Sequence, residues 1–375
     1  MIRTAIVGTG SMGMKYVRYI SEGAVPSMKL TAAVARNENS QQEVRTIAGK
    51  DTIICSSEDE LYEHADCFDA VIIATPHQFH PRMALNALNR NKHILVEKPL
   101  GVTVSQTNEL LDQARKSDRV FSVVFHQRAY PKYRKVKELL EEGKIGTVYR
   151  VLMENSRYFR TEHYHHSGHW RSSWSGEGGG ALINQGAHIL DMWQWLFGMP
   201  ESLYAQIGFG KFNPFAVDDE AVITMRYSDG KSGVFILTTG EGTHREYLEI
   251  TGSKGTIILE DSKLTLRMYD QDLDVYRKTA SCNAREELKE TVETMDLSGP
   301  ETTQPVILEN FARAVEGREA LIADGMSAVN SLELTNAAYL SAWRNSPVVL
   351  PIDPEQYEEE LRRHQDAEKE LPEQK

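Results

Sequence analysis

The sequence predicts an α/β protein in two parts. An N-terminal doubly wound (Rossmann) parallel sheet is followed by an α+β domain with a largely antiparallel open sheet. Short apolar, β-rich runs alternate with helically spaced segments through the first third of the chain. Gly8, Gly10 and Gly13 open a helix directly after the first of those runs. Beyond about Phe125 the alternation stops, and strand-like runs follow one another across hairpin-turn signals.

The β-rich runs lie at residues 4–7, 30–35, 52–55, 70–74, 93–96 and 120–125. Between them, residues 103–116 carry Val104, Thr107, Leu111 and Ala114 on one helical face. Strands separated by helices read as βαβ units, and right-handed crossovers then cover both faces of a parallel sheet. A helix is expected over 131–142, then hairpins at "SDGK" and "TGSKGT", where glycine supplies the positive φ of the turn. Helical spacing returns at 327–343, and "PVVLPID" reads as a closing strand. The expected division is residues 1–125 for dinucleotide binding and 126–353 for substrate binding and oligomerisation. Residues 354–375 form a charged tail, read as a solvated helix or a frayed end.

A chain of 375 residues, 41% hydrophobic, can bury two cores. A net charge of -12 argues against a nucleic-acid partner, which needs a basic face. Cys55, Cys67 and Cys282 are scattered without CxxC spacing, which points to a reducing compartment. No apolar run reaches the roughly 20 residues that span a bilayer, and no leader precedes the first strand. A soluble, cytoplasmic protein with no membrane partner is expected.

The loop Gly8, Thr9, Gly10, Ser11, Met12, Gly13 has the spacing that cradles a pyrophosphate. One glycine turns the chain, one admits the phosphate and one lets the helix close on the strand. At the end of the second strand, where NAD sites place a carboxylate for the ribose, stand Ala35 and Arg36. Losing the carboxylate removes repulsion of a 2′-phosphate, and Arg36 can pair with one, so the cofactor reading is NADP or NAD with a lean to NADP. Alternatively, Arg36 stacks on the adenine or faces solvent, and NAD binds.

Ala74, Thr75 and Pro76, with His77 and His80 just beyond, follow the fourth strand and are expected on the cofactor side. The fifth strand runs into "VEKPLG" on the same edge. There Lys98 meets a substrate oxygen and Glu97 orients it; an ammonium stabilises a developing alkoxide, and a neutral amine accepts a proton. The plainer reading is a surface ion pair of little energetic value.

In "GEGGGALINQGAHILDMWQWLFG", Asn184, His188 and Asp191 recur at helical spacing on one face. A lone helical histidine is more often a core residue, but one sharing a face with an amide and a carboxylate behind a glycine-rich entry can take a hydroxyl proton. The loop "YFRTEHYHHSGHWRSSWSGEGGG" gathers Tyr158, His163, His165, His166, His169, Trp170, Arg171 and Trp174. Aromatic faces with hydrogen-bonding side chains suit a sugar. No cysteine joins the histidines, so no metal is assigned. The candidate substrate set is Lys98, Arg128, Tyr158, His165, Trp170, Arg171, Asn184, Gln185 and His188.

These segments together ("GTGSMG", "ATPHQFH", "VEKPLG", "GGGALINQGAHILD" and a terminal "VVLP") resemble the Gfo/Idh/MocA oxidoreductases over about residues 2–352. The resemblance implies a nicotinamide-dependent dehydrogenase, often a homo-oligomer (dimer or tetramer) through its open sheet. The family's lysine falls on Lys98, before a proline that is often cis, and its catalytic histidine falls on His188. Many members carry Asp where this chain has Asn184. The histidine-rich run is similar to members acting on sugars and glycosides, some of which oxidise a ring hydroxyl at C3. The expected substrate is therefore a carbohydrate or glycoside. Two alternatives are an NAD-dependent glycosidase with transient oxidation and a cofactor-binding sensor without turnover.

Overall fold

In the computed structural model, residues 1–168, 170–300 and 302–370 are described, and His169 lies outside them. The chain forms two compact units. One comprises Met1–Ala129 and Glu301–Leu332; the other comprises Tyr130–Pro300 and Glu333–Lys375.

The first unit is built on strands β1 (Ile2–Val7), β2 (Met28–Val34), β3 (Ile53–Cys55), β4 (Ala70–Ile73), β5 (His93–Val96) and β6 (Phe121–Val123). They pair in the order β3-β2-β1-β4-β5-β6, all parallel. Every residue of β4 is buried, and so are Ile94, Leu95 and Val96 of β5, as a sheet covered on both faces requires. The doubly wound expectation holds. The register aligns the strand ends: Val34 and Ile73 both pair with Val7, Ile73 pairs with Val96, and Val96 with Val123. The loops carrying Gly8, Ala35, Ala74 and Glu97 therefore leave the sheet along one edge. Order reverses between β1 and β4, the switch point where such sheets bind ligands.

The returning segment adds the Gln304–Val315 helix, whose Ile307, Leu308 and Phe311 enter this core. Ser122 Oγ donates to the Ala323 carbonyl at 2.6 Å, tying the segment to β6.

The second unit holds β7 (Val148–Asn155), β8 (Ser202–Phe209), β9 (Asp218–Arg226), β10 (Ser232–Thr238), β11 (Glu246–Gly252), β12 (Gly255–Glu260), β13 (Lys263–Tyr269), β14 (Glu290–Asp296) and β15 (Val348–Val349). Their order is β14-β13-β12-β11-β7-β10-β9-β8-β15. β7 pairs with β10 in parallel, and the other pairs are antiparallel. "SDGK" and "TGSKGT" form the expected turns between β9 and β10 and between β11 and β12. β11 alternates buried and half-buried residues along its length, as a sheet covered mainly on one face should. The Gln185–Phe197 helix is buried almost throughout; its Trp193 donates to the Tyr227 hydroxyl at 2.7 Å and leaves no room for a side chain at Gly233. The charged C-terminal segment forms the Pro354–Lys369 helix, which buries Tyr357 and Leu361.

Candidate active site

At the sheet edge of the first unit, the glycine pattern has a measurable basis. Gly8 has φ +95°, and a Cβ on Gly13 would stand 1.8 Å from the Gly8 carbonyl oxygen. Only a residue without a side chain lets the Ser11–Ser21 helix close on that turn. Around Gly10, by contrast, a Cβ would meet nothing within 4 Å. Gly10 is the N-cap of this helix and no side chain caps it, so the positive end of the helix dipole has no capping side chain. That is the setting a dinucleotide pyrophosphate needs. Thr9, Ser11 and Met12 complete this turn; Arg36 is exposed past the end of β2, one residue after the buried Ala35.

The ends of β4 and β5 are tied together through His80. Its imidazole is fully buried and lies between two carbonyl oxygens, Pro99 at 2.8 Å from Nδ1 and Thr75 at 2.7 Å from Nε2. Burial lowers its pKa more than the two carbonyls raise it. His77 is buried beside it, their ring centroids 6.0 Å apart, and Ala74 follows β4 directly. His80 thus buttresses the Lys98–Pro99 peptide, which is cis. Glu97 is 7% exposed. One of its carboxylate oxygens accepts from the Lys98 amide at 3.0 Å and the other from the Tyr16 hydroxyl. Burial raises the Glu97 pKa, with the Tyr16 bond and Lys98 opposing it, and burial likewise holds the Tyr16 phenol well above its ordinary value. Tyr16 sits one turn into the glycine-loop helix, so a buried hydrogen bond joins the phosphate turn to the lysine turn. The Lys98 side chain is half-buried at this edge. Arg128, in the His126–Ala129 turn that follows β6, is 3% exposed and donates to the Ile322 carbonyl at 3.5 Å and to Ser327 Oγ at 3.2 Å.

In the second unit the candidate residues gather around a group that composition did not single out, the Tyr164 hydroxyl. Arg171 Nη1 donates to it at 3.0 Å, Asn184 Nδ2 at 3.2 Å and Gln185 Nε2 at 3.0 Å. Cations and rings alternate across the loop. The Arg160 guanidinium lies 5.7 Å from the Tyr158 ring and 4.3 Å from Tyr164; that of Arg171 lies 4.9 Å from Tyr164 and 4.5 Å from Trp170. Such contacts are attractive through the ring quadrupole. Glu177, 2% exposed, accepts from the Ser172 amide at 2.7 Å and from Asn184 Nδ2 at 2.5 Å, with Arg171 at 3.8 Å. A buried carboxylate is tolerable on those terms.

Asn184 holds the N-cap position of the Gln185–Phe197 helix without a side-chain cap bond, and His188, 8% exposed, stands one turn in, on the same face. His165 is buried beside Tyr164: its Nδ1 is 2.5 Å from Ser172 Oγ, its ring is 4.8 Å from Phe215, and burial lowers its pKa. Asp218 anchors the glycine entry. It is 1% exposed and accepts from the Gly180 amide at 2.7 Å, the Leu182 amide at 2.7 Å and the Tyr339 hydroxyl at 2.6 Å.

The cofactor candidates thus collect along one edge of the first unit. Tyr158, His165, Trp170, Arg171, Asn184 and Gln185 collect in one loop of the second. Tyr164, Arg160 and Glu177 belong to that loop too; the alternation of Tyr, Arg and Trp through residues 158–171 is the signal that marks the first two. Among the described residues no group of three His, Cys, Asp or Glu could hold a metal ion, and no helix is long and apolar enough to cross a membrane.

Residues 2–125 match the "Oxidoreductase family, NAD-binding Rossmann fold", and residues 137–350 match the "Oxidoreductase family, C-terminal alpha/beta domain". Among curated proteins, the chain is 29% identical over 263 residues to the scyllo-inositol 2-dehydrogenase (NADP(+)) IolU of Bacillus subtilis, covering 69% of this chain and 76% of that protein. It is 28% identical over 214 residues to the levoglucosan dehydrogenase of Pseudarthrobacter phenanthrenivorans, covering 50% and 54%. Among solved structures, levoglucosan dehydrogenase in complex with NADH and levoglucosan superposes with a TM-score of 0.77 at 21% identity, covering 94% of this chain and 100% of that one. The WlbA dehydrogenase of Bordetella pertussis, in complex with NADH and UDP-GlcNAcA, gives 0.76 at 23%, covering 94% and 99%. At these identities the likeness to the solved structures is one of fold.

Proposed function

This chain belongs to the Gfo/Idh/MocA oxidoreductase family as an NAD(P)-dependent enzyme acting on CH–OH groups, and we propose that its substrate is a sugar, polyol or glycoside. The reaction is oxidation of a secondary hydroxyl, ring C3 of a glycoside among the candidates, or reduction of the matching ketone. The observation that carries this reading is the loop around Tyr164, where amide and guanidinium donors stand beside Trp170 and Tyr158. Aromatic faces take the C–H side of a sugar ring, and the donors take its oxygens. The inositol and levoglucosan dehydrogenases among the relatives support the same class.

A bound nicotinamide supplies the hydride acceptor or donor. The chain's own groups do the rest. The uncapped turn at Gly10 holds the pyrophosphate, and Arg36 pairs with a 2′-phosphate, which favours NADP. Lys98 Nζ holds and polarises the substrate oxygen, and an imidazole nitrogen of His188 takes or returns the hydroxyl proton. Arg171, Asn184 and Gln185 orient the ring. Asn184 cannot stabilise an imidazolium by charge, but the Glu177 carboxylate 2.5 Å from its amide restores a negative charge one hydrogen bond further out.

The test is turnover over a panel of inositols, anhydrosugars, free sugars and glycosides with NAD and with NADP. Net cofactor reduction matched by a keto product is expected, with kcat/KM higher for NADP. Cofactor binding without turnover across the panel would remove the dehydrogenase reading for this substrate class. Aglycone release without net reduced cofactor would replace it with glycoside cleavage.

A further inference from the structure

The matched family domain ends at residue 350, yet the chain continues into the Pro354–Lys369 helix. Its residues at helical spacing (Tyr357, Leu361, His364, Gln365 and Glu368) form one stripe, and that stripe meets the loop carrying the candidate sugar ligands. Glu368 Oε1 accepts from the Trp174 amide at 2.8 Å and Oε2 from the Ser175 amide at 2.9 Å. Gln365 Nε2 donates to the Trp174 carbonyl at 3.1 Å. Both backbone groups of Trp174 are therefore held by this helix. The Trp174 ring, 2% exposed, packs at 5.5 Å on His364, 5.2 Å on Trp343 and 5.1 Å on Tyr339. Trp343 in turn stacks on His364 at 4.5 Å and on Tyr357 at 5.5 Å.

Glu368 stands in the last turn of its helix, where the dipole disfavours a carboxylate. A residue placed against its local preference marks a site where another interaction compensates, and here that interaction is a pair of charge-assisted bonds to consecutive amides. From Trp174 the hold passes along the loop. Ser173 accepts through its carbonyl from the amides of Glu177 at 3.1 Å and Gly178 at 3.0 Å, closing the turn. Glu177 then fixes Asn184 and Arg171.

We propose that the C-terminal helix is a positioning element for the substrate loop, with Glu368 as its clamp. The proposal rests on the reading of that loop as the sugar site. Glu368 touches no substrate; it acts by setting where Arg171, Glu177 and Asn184 stand.

The test uses full-length Glu368→Gln, which keeps size but turns an NH2 donor, in place of an acceptor, toward one of the two amide N–H groups. Hydrogen exchange of the segment containing Trp174 and Ser175, read on the protein without sugar, should speed up about tenfold or more while β9 and β10 stay protected. With the panel sugar of highest turnover, KM should rise about fivefold to tenfold with kcat and cofactor affinity unchanged. Glu368→Asp, whose shorter arm cannot span both amides, should behave in the same way. Unchanged exchange in both variants overturns the clamp, and faster exchange with an unchanged KM overturns the positioning role. A fall in cofactor affinity parallel to the rise in KM shows a general structural role and overturns it as well. Because exchange needs no substrate, a protein that oxidises no sugar on the panel still decides the clamp, and that failure falls on the substrate reading instead.

Discussion

The glycine turn of the first unit and the loop around Tyr164 in the second reach their geometry by opposite routes. Residues 8–13 are shaped by their own backbone: a positive φ at Gly8, a helix that touches it at Gly13, and an uncapped helix start. Residues 158–188 are shaped by side chains from far along the chain, Asp218, Tyr339 and Glu368 among them. A local motif specifies one rigid outcome. A loop held by remote partners can be retuned by changing the partners, which suits the sugar-binding role proposed for it.

The contrast breaks most visibly at Gly13. Gly13→Ala places a methyl inside the Gly8 carbonyl, so cofactor affinity should fall about a thousandfold, about 4 kcal/mol, by calorimetric titration. Unchanged affinity would mean that the turn is not the phosphate site.

Asp218→Ala is the counterpart in the second unit. It strips the acceptor from Gly180, Leu182 and Tyr339 and should cost about 3 kcal/mol. That lowers Tm by roughly 6–12 °C in scanning calorimetry, at about 2–4 °C per kcal/mol for a unit of this size, with cofactor affinity retained. A loss of cofactor binding instead would erase the distinction between the two regions.

Tyr164→Phe keeps the ring between the two guanidiniums and removes the oxygen on which Arg171, Asn184 and Gln185 converge. KM for the best panel sugar should rise about tenfold, about 1.4 kcal/mol. An unchanged KM would leave the donor cluster without a part in recognition.

The smallest effect is one of pH. Burial, partly offset by Asp219, lowers the His165 pKa. A depressed folded value means that its contribution is complete above the ordinary histidine value of about 6.5 and is lost as pH falls through the folded one. Between pH 7.5 and 5, wild type should lose about 2 °C more in Tm than His165→Gln does. Parallel curves would contradict the assignment.

The sheet of the first unit was legible because continuous apolar runs and glycine spacing are short-range signals. Its strand ends, and with them the edge carrying Gly8, Ala74 and Glu97, follow from counting strands. The parallel pairing of β7 with β10 was not legible, since nothing in either strand encodes a pairing across the 76 residues between Asn155 and Ser232. The return of residues 301–332 to the first unit changes no composition, because an amphipathic helix such as Gln304–Val315 reads alike in either unit. In the loop around Tyr164, Trp170, Arg171, Asn184 and Gln185 stood out by residue type. Tyr164 did not, because its importance lies in what converges on it. The C-terminal stripe of Tyr357, Leu361 and His364 was hidden by the charges between its members.

The central proposal is that Lys98 and His188 are each needed for turnover. The most direct measurement is steady-state turnover of Lys98→Ala and His188→Ala with the best panel sugar, alongside cofactor affinity. Each variant should lose about a hundredfold to ten-thousandfold in kcat with cofactor affinity within about twofold. Wild-type kcat in either variant would contradict the claim.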